Sequence, residues 1–398
     1  MTPTQLKTDI TIVGAGLVGL SAAVALTKAG YQVVLVDSQA QQQQPYHEDD
    51  WDQRIYAVSP KNMRWLTQLG IWQLLDSKRI TAMQAMEIWG DATSQPLLMD
   101  AEDVNADTLG YILEERLLKD ALLDWIAKND VSVLTGDACT SIQCLPQQAI
   151  LTLNELHTIH SDLLLAADGA NSWVRQQLDI GVQNKDYAQT AIVANFTIAQ
   201  SHANTARQWF THDAMGRSGV LAWLPLPDNK ISIVWSAPTS HAEALLQLPL
   251  DAFVEAVMDA GNRCLGTMSL IGKPASFPLV LKQATECVRS SVVLVGDAAH
   301  RVHPMAGQGV NLGFRDVIDL LNLLEAKHAY QPINDSALLK QYARTRKADL
   351  LNMVTLTNSL YHLFESPHSI IKRVRNWGLS ATNQQAIKRR LIASAISL

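Results

Sequence analysis

The stretch Asp9-Ile10-Thr11-Ile12-Val13-Gly14-Ala15-Gly16-Leu17-Val18-Gly19-Leu20 decides the fold, and its flanks complete the reading. Asp9 to Val13 is a short β-rich run, Leu17 to Ala29 is Ala-rich and helical, and Gln32 to Val36 returns as a strand. Gly30 stands where a helix C-cap glycine belongs. Such a unit, with its crossover helix, predicts parallel strands. Gly14 permits the tight turn, and Gly16, next to Ala15, lets the backbone approach a pyrophosphate. Gly19 lets helix and strand pack closely, and the helix N-terminus offers unpaired N–H groups to phosphates. Asp37 ends the second strand 18 residues beyond Gly19, where a carboxylate accepts hydrogen bonds from an adenosine ribose and repels a 2′-phosphate. The site is therefore wrong for NADP as a resident group. The competing reading, a glycine-rich turn with no ligand, does not account for strand, helix and acid all being in place.

Two segments far downstream separate FAD from NAD. The first is Ala167-Asp168-Gly169-Ala170-Asn171-Ser172-Trp173-Val174-Arg175, after the apolar run Leu163 to Ala167. The second is Gly296-Asp297-Ala298-Ala299-His300, which continues through Pro304, Gly307, Gln308, Gly309, Val310 and Asn311 into a helix. An aspartate beside a glycine can bond a ribityl hydroxyl, and a glycine-rich bend offers N–H groups and a helix dipole near an isoalloxazine ring. A nicotinamide cofactor has no ribityl chain. Asp168 also has a bland reading as a turn residue, since Asp-Gly is a common turn pair.

The bulk numbers agree with this. At 398 residues the chain exceeds the usual single-domain size, which favours two joined domains. Hydrophobic residues make up 47% and charged residues 18%, an ordinary globular composition, and a net charge of −6 gives no reason to expect nucleic acid as a partner. The four cysteines form no CxxC pair, so free thiols in a reducing cytoplasm are expected. The polar start Met1 to Thr8 lacks the pattern of a secretory signal, and no run approaches the ~18 apolar residues of a membrane-spanning helix. Ser38 to Asp50, with five glutamines and three acids, reads as a solvated loop.

The expected architecture is α/β: an FAD-binding Rossmann-like domain with a parallel sheet, interleaved with a mostly antiparallel substrate sheet and a C-terminal helical region. The FAD domain is assigned residues 1–80, 105–182 and 282–345, the substrate sheet 81–104 and 183–281, and the helical region 346–398. Leu109 to Asn129 reads as helix, and Val131 to Leu134 and Ala149 to Leu153 as strands of the first domain. Thr190–Ile198, Ala206–Thr211, Gly219–Leu226 and Ile231–Ser236 read as antiparallel strands, and Ala242 to Ala260 as helix.

The three motifs, in this order and spacing, resemble those of class A flavoprotein aromatic hydroxylases, and in wording the UbiH/UbiF/UbiI/VisC family of ubiquinone-biosynthesis hydroxylases. The residues are Asp52-Gln53-Arg54-Ile55-Tyr56-Ala57-Val58-Ser59, Asp168 to Ser172, Trp223-Leu224-Pro225-Leu226, Ser232-Ile233-Val234-Trp235-Ser236, Val295 to Asp316 and Arg375-Asn376-Trp377-Gly378-Leu379. The resemblance implies that Gly14, Gly16, Gly19 and Asp37 hold the ADP half of FAD; Asp37 stands where the family usually has glutamate. It implies contact of Arg54 and Arg116 with the flavin's phosphates or adjoining groups, a role of Asp168-Gly169 toward FAD and NAD(P)H, a ribityl bond from Asp297, and a flavin ring along Pro304 to Asn311. Arg54 and Arg116 also read as ordinary ion-pair partners.

The same resemblance implies that NAD(P)H reduces FAD, that O₂ adds to give a C4a-hydroperoxide, and that a phenol ring attacks its distal oxygen. The implied substrate is a polyprenylated phenol of ubiquinone biosynthesis, held in a dry pocket. Trp223, Leu224, Pro225 and Trp235 are candidate walls, though alternation along a strand sends some of them away. No acid or base is assigned; His212 and Arg217 lie in a polar loop. His300 and His303 near Asp297 lack a third ligand, so no metal is expected. The alternatives are a class A hydroxylase of a small soluble aromatic, a flavoprotein oxidase or dehydrogenase, and a flavin-binding scaffold of a quinone-biosynthesis assembly. Ser366 to Leu398 carries six basic residues and no acid. It reads as a helix packed on the body, or as a dock for anionic lipid at the inner face of the membrane or for that assembly.

Overall fold

The computed structural model describes residues 4–40, 50–90, 96–145, 147–154, 157–212, 218–301 and 309–365, with backbone only for 211, 212, 218 and 352–365. Its first sheet has eight strands. Five of them, Val292–Leu294, His157–Ala166, Thr4–Val13, Val33–Asp37 and Ser132–Thr135, lie side by side and parallel. Val288–Arg289 pairs antiparallel at one edge, and the hairpin Cys139–Leu145 with Gln148–Leu153 folds back on His157–Ala166.

Near-continuous apolar runs are what a sheet covered on both faces requires. Alternate residues point to opposite sides, and the two cores show it. Ile10, Ile12, Leu35, Leu163, Leu165 and Val293 join the helices Leu17–Lys28, Glu115–Lys128, Gly309–Ala326 and Ser336–Glu365 in one core. Val13, Val34, Val36, Leu164, Ala166 and Leu294 join the hairpin residues Ala149, Leu151 and Leu153 in another.

The second sheet, also of eight strands, runs His300–Arg301, Met268–Ala284, Val182–Ile198, Lys230–Pro238, Ser218–Leu226, Thr205–His212, Ala85–Trp89, Leu97–Asp100. It is antiparallel except where Thr205–His212 meets Ala85–Trp89. The helices Thr239–Leu246 and Leu250–Ala260 cover one face. A small sheet of Ile55–Val58, Gly110–Glu114 and Thr81–Met83 packs against its other face through Trp51, Ile112, Leu224 and Leu226.

Expected and observed elements differ in two places. The helix expected over Leu109–Asn129 begins at Glu115, because Gly110–Glu114 pairs with Ile55–Val58 and Thr81–Met83. Distant strands thus override a run whose apolar residues also fit a helix. The helix expected over Ala242–Ala260 is two, since Pro249, which has no N–H to donate, opens the second. The helix Ser336–Glu365 continues unbroken past residue 345, where the sequence places a domain boundary. The expected basic segment Ser366–Leu398 lies outside the described residues.

Candidate functional site

Three loops meet at the C-terminal ends of adjacent parallel strands, where α/β sheets bind ligands. Backbone bonds extend the sheet into them: Gly14 N–H donates to Val36 O (2.7 Å), Ala167 N–H to Val13 O (2.7 Å) and Val295 N–H to Ala166 O (2.9 Å). Gly14 has φ +107°, and a Cβ there would lie 2.4 Å from Ala167 O and 2.7 Å from Asp168 N, so the first two loops touch where only glycine fits. A Cβ on Gly19 would fall 1.9 Å from Gly14 O, so the helix sits directly on the turn. Val18 reaches the third loop: Cβ atoms on Gly296 and Gly313 would lie 3.2 and 2.4 Å from its Cγ2. Gly16 is the opposite case. Nothing lies within 4 Å of a Cβ built there, and no side chain caps the helix that begins at Leu17. Unpaired N–H groups at a helix start beside open space are what a pyrophosphate needs, and the cradle fits one.

The acids frame this cradle. Asp37 accepts the Ala15 N–H at Oδ2 (2.6 Å) and the Gln39 N–H at Oδ1 (2.8 Å). Each carboxylate oxygen keeps a second lone pair, so ribose hydroxyls can still donate to it. Asp168 accepts the Val174 N–H at Oδ2 (3.0 Å), while its Oδ1 is buried without a partner. Burial raises its carboxyl pKa, and Ser172 and the Val174 N–H oppose the rise. Asp297 is reached by solvent yet enclosed by the surrounding loops. That enclosure raises its carboxyl pKa against the pull of Arg301, His300 and Arg54.

Arg54 leaves 72% of its side chain exposed and pairs with Glu115 at 3.1 Å, which also accepts the Tyr56 hydroxyl at 3.2 Å. Burial, then Glu115, holds that phenol well above its usual range. Arg116 turns elsewhere: it bonds Glu114 (2.8 Å) and Asp50 (2.8 Å) in the described structure. Asn311 is buried, and its amide accepts the Ser59 N–H (2.9 Å) and donates to Ala57 O (2.7 Å). It therefore ties the third-motif helix to the strand Ile55–Val58. Gly169 turns with φ +81°, Gly309 starts its helix in an exposed position, and Val310 is in the core. Pro304, Gly307, Gln308 and His303 lie outside the described residues, as does Arg217; His212 ends its strand.

Comparison with known proteins places this geometry. A family model described as an FAD binding domain matches residues 7–357. A ubiquinone hydroxylase, UbiL, of Rhodospirillum rubrum is 31% identical over 386 residues, 96% of this chain and 88% of that protein. A 3-demethoxyubiquinol 3-hydroxylase of Escherichia coli is 32% identical, covering 99% of this chain and 100% of the other. The chain belongs to the FAD-dependent ubiquinone-biosynthesis hydroxylase family. It is an FAD-dependent monooxygenase. Solved structures of similar fold include PqsL of Pseudomonas aeruginosa (TM-score 0.75, 21% identity, 94% of this chain and 100% of that one). Another is Klebsiella pneumoniae HpxO with FAD and uric acid (TM-score 0.76, 16% identity, 98% and 97%).

Within this family member the sequence left several site residues unassigned. Arg175 is 5% exposed and crosses from the second motif to the third, donating from Nη1 to Ala298 O (2.8 Å) and from Nη2 to Ala170 O (3.0 Å). Its signal was present in Ser172-Trp173-Val174-Arg175, where Ser172 Oγ accepts the Arg175 N–H (3.0 Å) and caps the short helix. Glu114, fully buried, takes Arg79 at 2.6 Å, and the Arg79 guanidinium lies over the Trp51 ring at 4.2 Å. This group anchors the segment leading to Arg54. His300 sits 2.7 Å from Asp316, and among the described residues no cluster of three His, Cys, Asp or Glu is placed to hold a metal.

On the sheet side, Trp223 and Trp235, read from the sequence as candidate pocket walls, lie on the face that the two covering helices pack against. Both belong to the core under the two covering helices, with Trp223 against Trp209 (ring centroids 4.6 Å apart) and pressed on Gly261. Pro225 is buried, and its neighbours Leu224 and Leu226 pack toward Trp51 and Ile112. The register Ala222↔Val234 and Leu224↔Ser232 puts Ala222, Leu224 and Val234 together on that second face, each half-buried.

Proposed function

We propose that this monooxygenase hydroxylates the aromatic ring of a polyprenylated phenol in ubiquinone biosynthesis, with NAD(P)H as reductant and O₂ as oxidant. The convergence of three distant loops on one open glycine cradle carries the reading, together with full-length likeness to hydroxylases whose names give ubiquinone-type substrates. When bound, FAD supplies the electron transfer and oxygen activation, which no side chain can. Gly14, Ala15, Gly16 and Gly19 would seat its pyrophosphate, Asp37 its ribose, Asp297 its ribityl chain and Gly309–Asn311 the end of its ring system.

The chain's own part is to bind, orient and keep water out. The strand Ile55–Val58 forms the shared wall: Ile55 and Ala57 pack toward Leu224, while Tyr56 and Val58 pack into the nucleotide-domain core. The half-buried stripe of Ala222, Leu224 and Val234 would take the apolar part of the substrate. An apolar lining excludes the water that would otherwise divert oxygen chemistry. No helix among the described residues is long and apolar enough to cross a membrane.

The test is direct. Purified protein should be yellow, and a prenylated phenol should speed its NAD(P)H oxidation and be recovered hydroxylated. Protein that takes up no added FAD, or consumes NAD(P)H without forming hydroxylated product from any such phenol, defeats the reading.

A further inference from the structure

The third loop is held from behind by a buried carboxylate. Asp316, 1% exposed on the helix Gly309–Ala326, accepts the Gly296 N–H at Oδ2 (2.7 Å) and meets His300 Nε2 with the same oxygen (2.7 Å). Its Oδ1 accepts from Arg346 Nε (2.7 Å). Arg346, 5% exposed on the helix Ser336–Glu365, spreads its other arm to Asp319 and Asp349, each at 2.7 Å from Nη1. Burial alone would raise the Asp316 carboxyl, but His300, Arg346 and the Gly296 N–H outweigh it and hold it below the usual range. The carboxylate thus stays charged, one oxygen serving the loop and the other the arginine. Gly296, at φ +58°, is the residue that aims Asp297.

We infer that Arg346 is a positioning residue for the flavin, fixing the Gly296-Asp297 turn through Asp316 from a helix outside the three loops. This rests on the reading that Asp297 holds the flavin. Arginine suits the task because its planar fork serves Asp316 and the outer acids at once, which a lysine ammonium cannot. Without it a buried carboxylate loses its fixed cation, and the N–H bond that shapes the turn loses its orientation.

The experiment uses the full-length chain, stripped of flavin and titrated with FAD by flavin fluorescence. Visible circular dichroism of the bound flavin and melting without FAD are measured alongside. Arg346→Gln should raise the FAD Kd roughly tenfold or more, the scale of one charged hydrogen bond, and change the flavin dichroism. Arg346→Lys should raise it less. Asp349→Asn removes one of the two outer acids, and a partner of Arg315, without touching Asp316; it should lower the melting temperature yet leave the Kd within about twofold. A wild-type Kd and dichroism in Arg346→Gln overturns the inference, as does an Asp349→Asn Kd raised equally. If Arg346→Gln does not fold, Arg346→Lys decides: an unchanged Kd overturns the inference, and an increase of roughly threefold supports it. Asp297→Ala tests the underlying reading separately, since an unchanged Kd there rejects that reading whatever Arg346 does.

Discussion

Gly16→Ala isolates the cradle from the fold. Nothing lies within 4 Å of a Cβ at this position, and its backbone (φ −77°, ψ 177°) is extended and open to any residue. The cost to the free protein is then only the weaker N-cap, less than about 1 kcal/mol. The added methyl instead occupies the space into which the helix N–H groups point. Losing one to two charge-assisted bonds to a pyrophosphate would cost about 3 kcal/mol, or about a hundredfold in FAD Kd. Melting of the flavin-free protein and FAD titration measure the two quantities independently. Gly19→Ala is the contrast, because its Cβ would lie 1.9 Å from a backbone oxygen and the flavin-free protein itself should be destabilised. An unchanged FAD Kd in Gly16→Ala, with FAD bound, would refute the placement of the pyrophosphate.

Three further outcomes are expected. Arg175→Met removes the donor to the Ala298 carbonyl and leaves Ala170 O only the long bond from Lys282 Nζ (3.4 Å), and should lower stability by about 2 kcal/mol in urea melts; a loss under about 0.5 kcal/mol would mean that Arg175 does not bridge the loops. Trp223→Ala should cost about 4 kcal/mol of stability, whereas Leu224→Gln should raise the KM for a prenylated phenol roughly tenfold while changing stability far less; the reverse pattern would put the pocket on the other face of the sheet. His202 donates from Nε2 to Leu226 O (2.7 Å) and accepts the Asn204 N–H at Nδ1 (3.0 Å), and burial lowers its pKa from the ordinary 6.5. The folded state therefore binds this proton less readily than the unfolded state, so stability is full above about pH 6.5 and falls as pH drops from there through the lowered pKa. His202→Gln should flatten that part of the pH profile, and an unaltered slope would contradict it.

The nucleotide half was legible because its signals are local: a glycine must stand wherever a Cβ would strike Ala167 or Gly14, whatever the rest of the chain does. The substrate sheet was legible as strands, but its facing was not. Trp223 and Leu224 are adjacent and both apolar, and only the helices folded over one side decide which of them they cover. Gly110–Glu114 was misread for a similar reason, since its pairing partners lie more than 25 residues away in sequence. Arg346 was hidden because a buried arginine carries no sequence mark apart from its partners, and Asp316 lies 30 residues away; Arg175 stood in a legible motif, but its bond to Ala298 crosses 123 residues.

The strand Ile55–Val58 has a consequence for how specificity can drift. Because odd and even positions on it pack into different cores, a slip of one residue would send Tyr56 toward Leu224 and Ile55 into the nucleotide-domain core. On the proposed function, change in substrate preference is therefore channelled through Ile55, Ala57 and their neighbours across the gap, one side chain at a time. Insertions or deletions of single residues here would disable both compartments together.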